Sequence, residues 1–215
     1  MKKTWYTFKL FYLLLKISRN PENTPAILAI THVLLKLNLI NHEAQKLNEL
    51  PEFRPMYLAH KLMAKIDLQA LQKCPEGSVG KIFSDHMISQ NLDPQFYDII
   101  EIKNEETYLM MRLRETHDLW HIITGFNTTV PGELGLQAFM LAQTYSPLAM
   151  FLIAGGLFRS ALIKPAEARE IIRHVTTGWQ MGLQGLPLFP LDWEANWSTP
   201  LTTLRSQYKI TPAQF

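Results

Sequence analysis

Residues 114–139 read RETHDLWHIITGFNTTVPGELGLQAF and contain four side chains suited to metal binding. His117, Asp118 and His121 form an HDxxH sequence, and Glu133 follows after eleven further residues. Two neutral imidazoles and two carboxylates suit Zn²⁺, and the same nitrogen and oxygen donors would also accept Fe²⁺, Mn²⁺ or Mg²⁺. The spacing therefore predicts a divalent-metal site, with zinc as the first candidate.

A helix over residues 105–124 is predicted, because this stretch lacks Gly and Pro and is rich in Glu, Leu, Met and Arg. At about 100° per residue, His121 projects between His117 and Asp118, so three candidate ligands share one face. Two glycines and a proline in residues 125–132 are expected to end the helix and turn the chain. Glu133 would then begin a second helix, where the dipole favours a carboxylate that could fold back onto the other three. The ordinary alternatives are a surface His-Asp hydrogen bond and an incidental histidine pair.

Three further residues are candidates near this site. Arg114 lies on the ligand face, where a guanidinium suits the anionic head group of a ligand, although an i, i+4 pair with Asp118 explains it equally well. Met110 lies on the same face, one turn earlier, and could line the path of a lipid tail. His86 could supply a further ligand, but an ordinary packed histidine is expected there.

Composition favours a folded protein without nucleic acid as a partner. Apolar residues make up 47% of the 215 residues and charged residues 19%, and the net charge is only +2. Cys74 is the only cysteine, which excludes an intramolecular disulfide and a zinc site made of thiolates. No linker divides the chain, so residues 1–215 are predicted to form one domain.

Helical periodicity recurs along the chain, and no series of alternating β-branched segments interrupts it. The fold class is therefore predicted as all-α, a multi-helix bundle with the metal site between two adjacent helices and an apolar lipid cavity. Residues 95–103 are predicted to be a loop or a short extended piece. The other predicted helices cover residues 24–39, 42–50, 53–66, 67–73, 78–91, 134–145, 147–163, 165–184 and 199–208.

Two apolar segments raise the question of a membrane. The N-terminal sequence MKKTWYTFKLFYLLLKISRN is too short to span a bilayer and has lysines within its apolar run, so no cleavable targeting signal is expected. This segment could lie in a membrane interface or pack as an N-terminal helix. Residues 147–163 are expected to be a buried helix, in which Gly155 and Gly156, with Phe151, could border a cavity for a lipid tail. The alternative for the two glycines is close helix packing.

The sequence RETHDLWHIITGFNTTVPGELGL closely resembles the signature of the Coq4 family of ubiquinone-biosynthesis proteins. The resemblance extends to PEGSVGKIFSDHMISQNLDP upstream and to GWQMG and DWEANWSTPLTTLRSQYKI downstream, and it covers at least residues 75–210. It implies an α-helical protein peripherally associated with a membrane, with His117, Asp118, His121 and Glu133 as ligands of a divalent metal, usually zinc. A cytoplasmic location is expected from the lack of a recognisable targeting signal.

The resemblance also implies partners and an activity. The expected partners are a polyisoprenoid lipid or prenylated quinone intermediate, other quinone-biosynthesis proteins and a membrane surface. The reaction that the resemblance implies is oxidative decarboxylation of the ring of a prenylated quinone precursor. Whether the chain itself catalyses this reaction is not decided by the sequence. Self-association into a homo-oligomer is plausible from the exposed edges of the apolar segments.

Two other functions fit the residues. HDxxH resembles the HExxH sequence of zinc peptidases and the His-Asp pair of phosphohydrolases, so a metal-dependent hydrolase is one alternative. A structural scaffold, in which the metal only fastens two helices together, is the other.

Overall fold

The structure is a computed structural model that describes residues 2–95 and 101–215. Within these residues the chain forms eleven α-helices and two short 3₁₀-helices, and its only β-pairing is an isolated bridge between Ser78 and Pro200. The all-α prediction is confirmed. Most of the loop predicted over residues 95–103 falls at positions 96–100, outside the described residues.

The helices follow one another in the order α1 Lys2–Arg19, α2 Thr24–Lys36, α3 Ile40–Leu47, α4 Phe53–Leu58, α5 Leu68–Leu71, α6 Val79–Ser89, α7 Glu105–Thr124, α8 Val130–Thr144, α9 Pro147–Leu162, α10 Ala168–Gln184 and α11 Leu201–Gln207. The 3₁₀-helices cover Pro165–Glu167 and Glu194–Asn196. The helix predicted over residues 105–124 is confirmed at both ends, and most of the others agree within a few residues.

The helix predicted over residues 53–66 is wrong in its second half. α4 ends at Leu58, and His60 then takes a left-handed conformation with a φ of 47°. Residues 61–67 are not helical. The backbone N–H of Met63 donates to the Glu115 carboxylate at 3.0 Å, so a side chain on α7 replaces the partner that a helix would provide.

The residues group into two compact units, of which unit 1 comprises Met1–Leu47 and Phe126–Leu183. In this unit α9 packs against α1, α2 and α8, and α3 packs against α8. α9 buries Ala149, Ile153 and both of its glycines, whereas Met150, Leu157 and Leu162 are exposed. The prediction of a buried helix therefore holds for one face of α9 only.

Unit 2 comprises Asn48–Gly125 and Gln184–Phe215. Here α6 packs against α5 and α7, and α11 packs against α7. The largest side chains of its core are fully buried aromatics, namely Phe53, Phe83, Tyr108, Trp120 and Trp193.

No single helix in the described part of the chain is long and apolar enough to cross a bilayer. α2 and α3 meet the criteria of length and composition only as a pair, and the chain bends by 78° between them.

Candidate metal centre

α7 carries the two histidines, and both of its ends are fixed by side chains within unit 2. Asn104 accepts from the Thr107 backbone N–H at 2.9 Å, and the Thr107 hydroxyl oxygen accepts from the Asn104 backbone N–H, which together form a capping box. At the other end Gly125 adopts the left-handed conformation with a φ of 78°. The candidate ligands therefore lie on a helix with a defined start and stop.

The C-terminal carbonyl groups of α7, beside His121, are capped by the last part of the chain. The guanidinium of Arg205 on α11 donates to the carbonyls of Ile122 at 2.8 Å and Ile123 at 2.9 Å. The backbone N–H of Ala213 donates to the carbonyl of Thr124 at 2.8 Å. These contacts satisfy groups that a helix end leaves unpaired, and they fix the turn that bears His121.

The two imidazoles face each other as the i, i+4 spacing predicted. Their Nε2 atoms lie 3.2 Å apart, and the ring planes are nearly perpendicular, at 88°. Two nitrogens that bind one tetrahedral zinc at about 2.05 Å lie about 3.3 Å from each other. The separation of Nε2 in His117 and His121 is compatible with a shared zinc ion, and it is also that of an N–H···N hydrogen bond between the two rings.

Glu133 lies in the first turn of α8, as predicted, although α8 begins at Val130 and so includes Pro131 and Gly132. His117, His121 and Glu133 are the residues that could hold a metal ion.

The start of α8 depends on a close backbone approach. Thr129 is its N-cap, and its hydroxyl oxygen accepts from the Gly132 backbone N–H at 3.3 Å. A Cβ atom on Gly132 would lie 2.2 Å from the Asn127 carbonyl oxygen, so only glycine fits there. The sequence TTVPGE thus places Glu133 one residue after a position where a side chain cannot be accommodated.

The other residues predicted at the site are half-buried on α7. Asp118 is next to His117 in the sequence, but its carboxylate is not among the three ligand atoms that cluster, and its role as a ligand stays a prediction. Arg114 and Met110 precede it by one and two turns, on the face that the helical period gave them. Their roles toward a head group and a lipid tail also stay predictions.

His86 on α6 lies near the candidate ligands of α7. Its Nε2 is buried and has no hydrogen-bond partner among the described residues. Burial lowers the pKa of His86, the Asp118 carboxylate raises it, and the His121 ring lowers it. The ring is therefore close enough to Asp118 and His121 to sense their charges.

The two adjacent glycines of α9 serve close helix packing. A Cβ atom on Gly155 would lie 2.8 Å from Ile17 on α1, and one on Gly156 would lie 2.2 Å from Leu134 on α8. The space beside both glycines is filled by protein side chains, so a lipid tail at either glycine would have to displace them. Phe151, half-buried on α9, remains a predicted tail contact.

Several residues that support the site or its helices were not found from the sequence. Arg205 caps α7 from 82 positions away along the chain. Arg112, buried on α7, donates to Glu115 at 2.8 Å and to the Leu191 carbonyl at 2.7 Å. The only signal in the sequence for the Arg112 contact is the i, i+3 spacing of Arg112 and Glu115, which is common on exposed helices.

The fold is that of an all-α protein, and its histidine pair belongs to a group of residues that could hold a metal ion. The chain also matches the family described as Coenzyme Q (ubiquinone) biosynthesis protein Coq4 over residues 29–214. It therefore belongs to the Coq4 family.

Individual relatives agree with this assignment. The chain is 30% identical over 148 residues to the mitochondrial ubiquinone biosynthesis protein coq4 of Talaromyces stipitatus, covering 67% of this chain and 50% of that protein. It is 28% identical over 154 residues to the rat mitochondrial COQ4 homolog, covering 70% and 57% respectively. The chain thus spans about half the length of the curated relatives it matches.

A solved structure shares the fold. A crystal structure of a candidate ubiquinone biosynthesis protein from Nostoc punctiforme superposes with a TM-score of 0.86 at 26% identity. The match covers 94% of this chain and 95% of that one. The helical architecture is therefore common to both chains over nearly their full length.

Proposed function

We propose that this chain acts in ubiquinone biosynthesis by binding a divalent metal ion together with a polyisoprenoid lipid or prenylated quinone intermediate. Zinc is the first candidate for the metal. The observation that carries the proposal is the 3.2 Å separation of the two imidazole nitrogens. The names of the relatives, which are ubiquinone biosynthesis proteins, supply the pathway. The ion would be held by His117, His121 and Glu133, with Asp118 as a fourth ligand.

A bound divalent ion would supply a Lewis acid and an orienting charge for an anionic head group. Arg114, one turn before Asp118, would pair with a ring carboxylate or phosphate. Met110 and Phe151 would contact the isoprenoid tail, whose burial stabilises a complex by about 25 cal/mol per Å² of apolar surface. The chain would then hold the intermediate with its head group at the metal and present it to other enzymes of the pathway.

The same arrangement would serve a reaction at the ring. Replacement of a ring carboxylate by a hydroxyl group releases CO₂ and is a two-electron oxidation of the substrate as a whole, so it needs an oxidant such as dioxygen. In that case the residues above would hold the carboxylate-bearing carbon in place while the oxidant acts. The release of CO₂ from a carboxyl-labelled precursor separates this reaction from simple presentation of the lipid.

Native mass spectrometry of the gently purified chain tests binding, because one spectrum reports metal, lipid and subunit number. The expected spectrum shows a metal and a polyisoprenoid, and His121→Ala loses the metal. His32→Ala is the matched control, because His32 is exposed on α2 and should leave both ligands in place. Metal without lipid would favour the structural scaffold, and the absence of both would contradict the proposal.

A cell that lacks its own Coq4-family protein tests the pathway. Expression of this chain should restore ubiquinone, measured by liquid chromatography and mass spectrometry, and His121→Ala should fail to do so at an equal protein level. Restoration by His121→Ala to the level reached with His32→Ala would show that the metal centre has no part in the function.

The proposal places the chain at a membrane surface, and α1 supports this placement. Trp5, Phe8, Phe11 and Tyr12 are between 57% and 71% exposed, and they lie opposite the buried face of α1. The amines of Lys9 and Lys16 lie over the rings of Trp5 and Tyr12, at 5.2 and 5.9 Å from the ring centroids. Aromatic rings edged by lysines are typical of helices that lie in the interface of a bilayer with anionic lipids.

Co-sedimentation with vesicles tests this surface. We expect binding to vesicles that contain phosphatidylserine, weaker binding to pure phosphatidylcholine, and loss of binding in Trp5→Ser/Phe8→Ser. Leu162→Ser is the control, since Leu162 is an exposed apolar residue at the end of α9, 68% accessible. Equal losses in the aromatic variant and in this control would refute a specific role for α1.

A further inference from the structure

His86 lies on α6, and Nε2 of its ring is buried. α6 starts at the N-cap Ser78, whose hydroxyl oxygen accepts from the Lys81 backbone N–H at 3.4 Å. Val79, Phe83 and Met87 are buried at 2% exposure or less. These residues recur every four positions and form the packed stripe of the helix. His86 borders this stripe, and α6 packs against α7.

The ring nitrogen of His86 is a buried polar atom without a partner. Nε2 has essentially no solvent exposure and no hydrogen bond within the described residues. Most buried polar atoms in folded proteins are hydrogen-bonded, because leaving one unpaired costs free energy. An apolar side chain at position 86 would avoid this cost, so the imidazole is not explained by stability.

The surroundings of His86 indicate where its missing partner lies. The two groups outside α6 that act on its charge are the Asp118 carboxylate and the His121 ring. These residues are three positions apart on α7, so they lie on the same face of that helix. His121 is also one of the three side chains that could hold the metal. The unpaired nitrogen therefore belongs to the surroundings of the candidate metal centre.

We propose that Nε2 of His86 binds the head group of the substrate. It donates a hydrogen bond to a carboxylate oxygen on the ring of that head group. The inference rests on the proposed function, since it assumes that a ring with a carboxylate binds at this centre. An imidazole donates through Nε2–H when that nitrogen carries the proton. His86 would then select for a carboxylate, whereas the ligands on α7 hold the metal.

Two soluble probes isolate this contact, 3-geranyl-4-hydroxybenzoate and 2-geranylphenol, which differ in the carboxylate. Binding of each to the metal-loaded full chain is measured by calorimetry, with metal content measured in parallel. His86→Leu should weaken the benzoate about tenfold or more, since a hydrogen bond to a charged group is lost. The same variant should leave the phenol and the metal content unchanged, and His86→Gln, which keeps an N–H donor, should recover part of the affinity for the benzoate.

The outcomes separate this inference from the proposed function. If the wild-type chain binds the benzoate and His86→Leu binds it equally well, His86 is not a head-group contact, while the proposed function stands. Equal weakening of both probes, or loss of the metal from His86→Leu, would assign His86 to packing or to metal ligation instead. If the wild-type chain binds neither probe, the proposed function fails, and the role of His86 fails with it.

Discussion

Glu43 on α3 provides a direct test of how burial controls an ionisable group in unit 1. The side chain is buried, and burial raises the pKa of Glu43 to about 8, although hydrogen bonds from Thr144 and Ser146 lower it in part. The Thr144 hydroxyl oxygen lies 3.0 Å from Oε1 of Glu43 and 2.9 Å from the carbonyl of Met140. The Thr144 hydroxyl donates to the carboxyl of Glu43 and is shared with the carbonyl of Met140.

The raised pKa makes stability depend on pH in a defined direction. Between the ordinary value of 4.5 and about 8, the folded chain keeps a proton on Glu43 that the unfolded chain has released. The free energy of unfolding must therefore fall as pH rises through this window, by about 1.4 kcal/mol per pH unit. Over the whole window the contribution of Glu43 amounts to at most about 5 kcal/mol, present in full below pH 4.5 and lost above pH 8.

Glu43→Gln removes the titration while keeping the size of the side chain and an oxygen that accepts from Thr144. Urea unfolding of the two proteins, followed by tryptophan fluorescence at pH 5, 6, 7 and 8, gives the difference in unfolding free energy at each pH. Chelator in all samples removes the contribution of bound metal. We expect the wild-type chain to lose stability relative to Glu43→Gln with each step in pH.

The control is Glu22→Gln, because Glu22 is exposed before α2 and its substitution should not change the pH profile. A difference between wild type and Glu43→Gln that stays constant from pH 5 to 8 would refute the reasoning. It would mean that Glu43 ionises in the folded chain near its ordinary pKa, with water or another group reaching the carboxylate.

Three further predictions concern packing, a buried ion pair and the metal. Gly178→Ala should destabilise unit 1 by about 1–3 kcal/mol or more, because the added Cβ atom would overlap the Gly135 carbonyl oxygen. Thr176→Ala, at an exposed position of the same helix, is the control and should leave the unfolding free energy unchanged in the same chemical denaturation. Arg112→Leu should lower the unfolding free energy by about 3–5 kcal/mol, because the carboxylate of Glu115 loses its cation. Adding Glu115→Gln to this variant should recover part of the loss. Equal stabilities of the single and double variants would contradict this explanation. Zinc at about 100 times its Kd should raise the unfolding free energy by about 2.7 kcal/mol, and an excess of EDTA should reverse the rise in melting temperature; a melting curve that EDTA and zinc leave unchanged would exclude a ligated ion.

The part of the site that the sequence predicted is local to one helix. The i, i+4 spacing of His117 and His121 fixes their relation as soon as residues 105–124 are helical, and the helix is defined by its own composition and by Gly125. The position of Glu133 near the start of the next helix could also be predicted, because a proline and a glycine directly precede it. Such features depend only on neighbouring residues, which is why they can be derived from a single sequence.

The error in the helix after α4 shows the limit of that method. Residues 61–67 lack the glycine that would mark a break, and distant side chains accept from two of their backbone N–H groups. The backbone N–H of Met63 donates to Glu115, and that of Ala64 donates to Glu194, so the partners lie 52 and 130 positions away. A helix would satisfy the same N–H groups locally, and tertiary contacts override that preference.

The carboxyl of Glu43 and the Nε2 atom of His86 are both buried polar groups, and only their surroundings separate their roles. The carboxyl of Glu43 has hydrogen bonds with the hydroxyl groups of Thr144 and Ser146, so its partners lie within unit 1. Nε2 of His86 has none among the described residues, and it lies beside a helix face that carries a candidate metal ligand. A polar group that is buried with its partners contributes to a specific fold, whereas one buried without them is a site that a ligand can complete. The sequence places each residue on a helix and gives no indication of this difference, since it depends on which neighbouring helix each side chain meets.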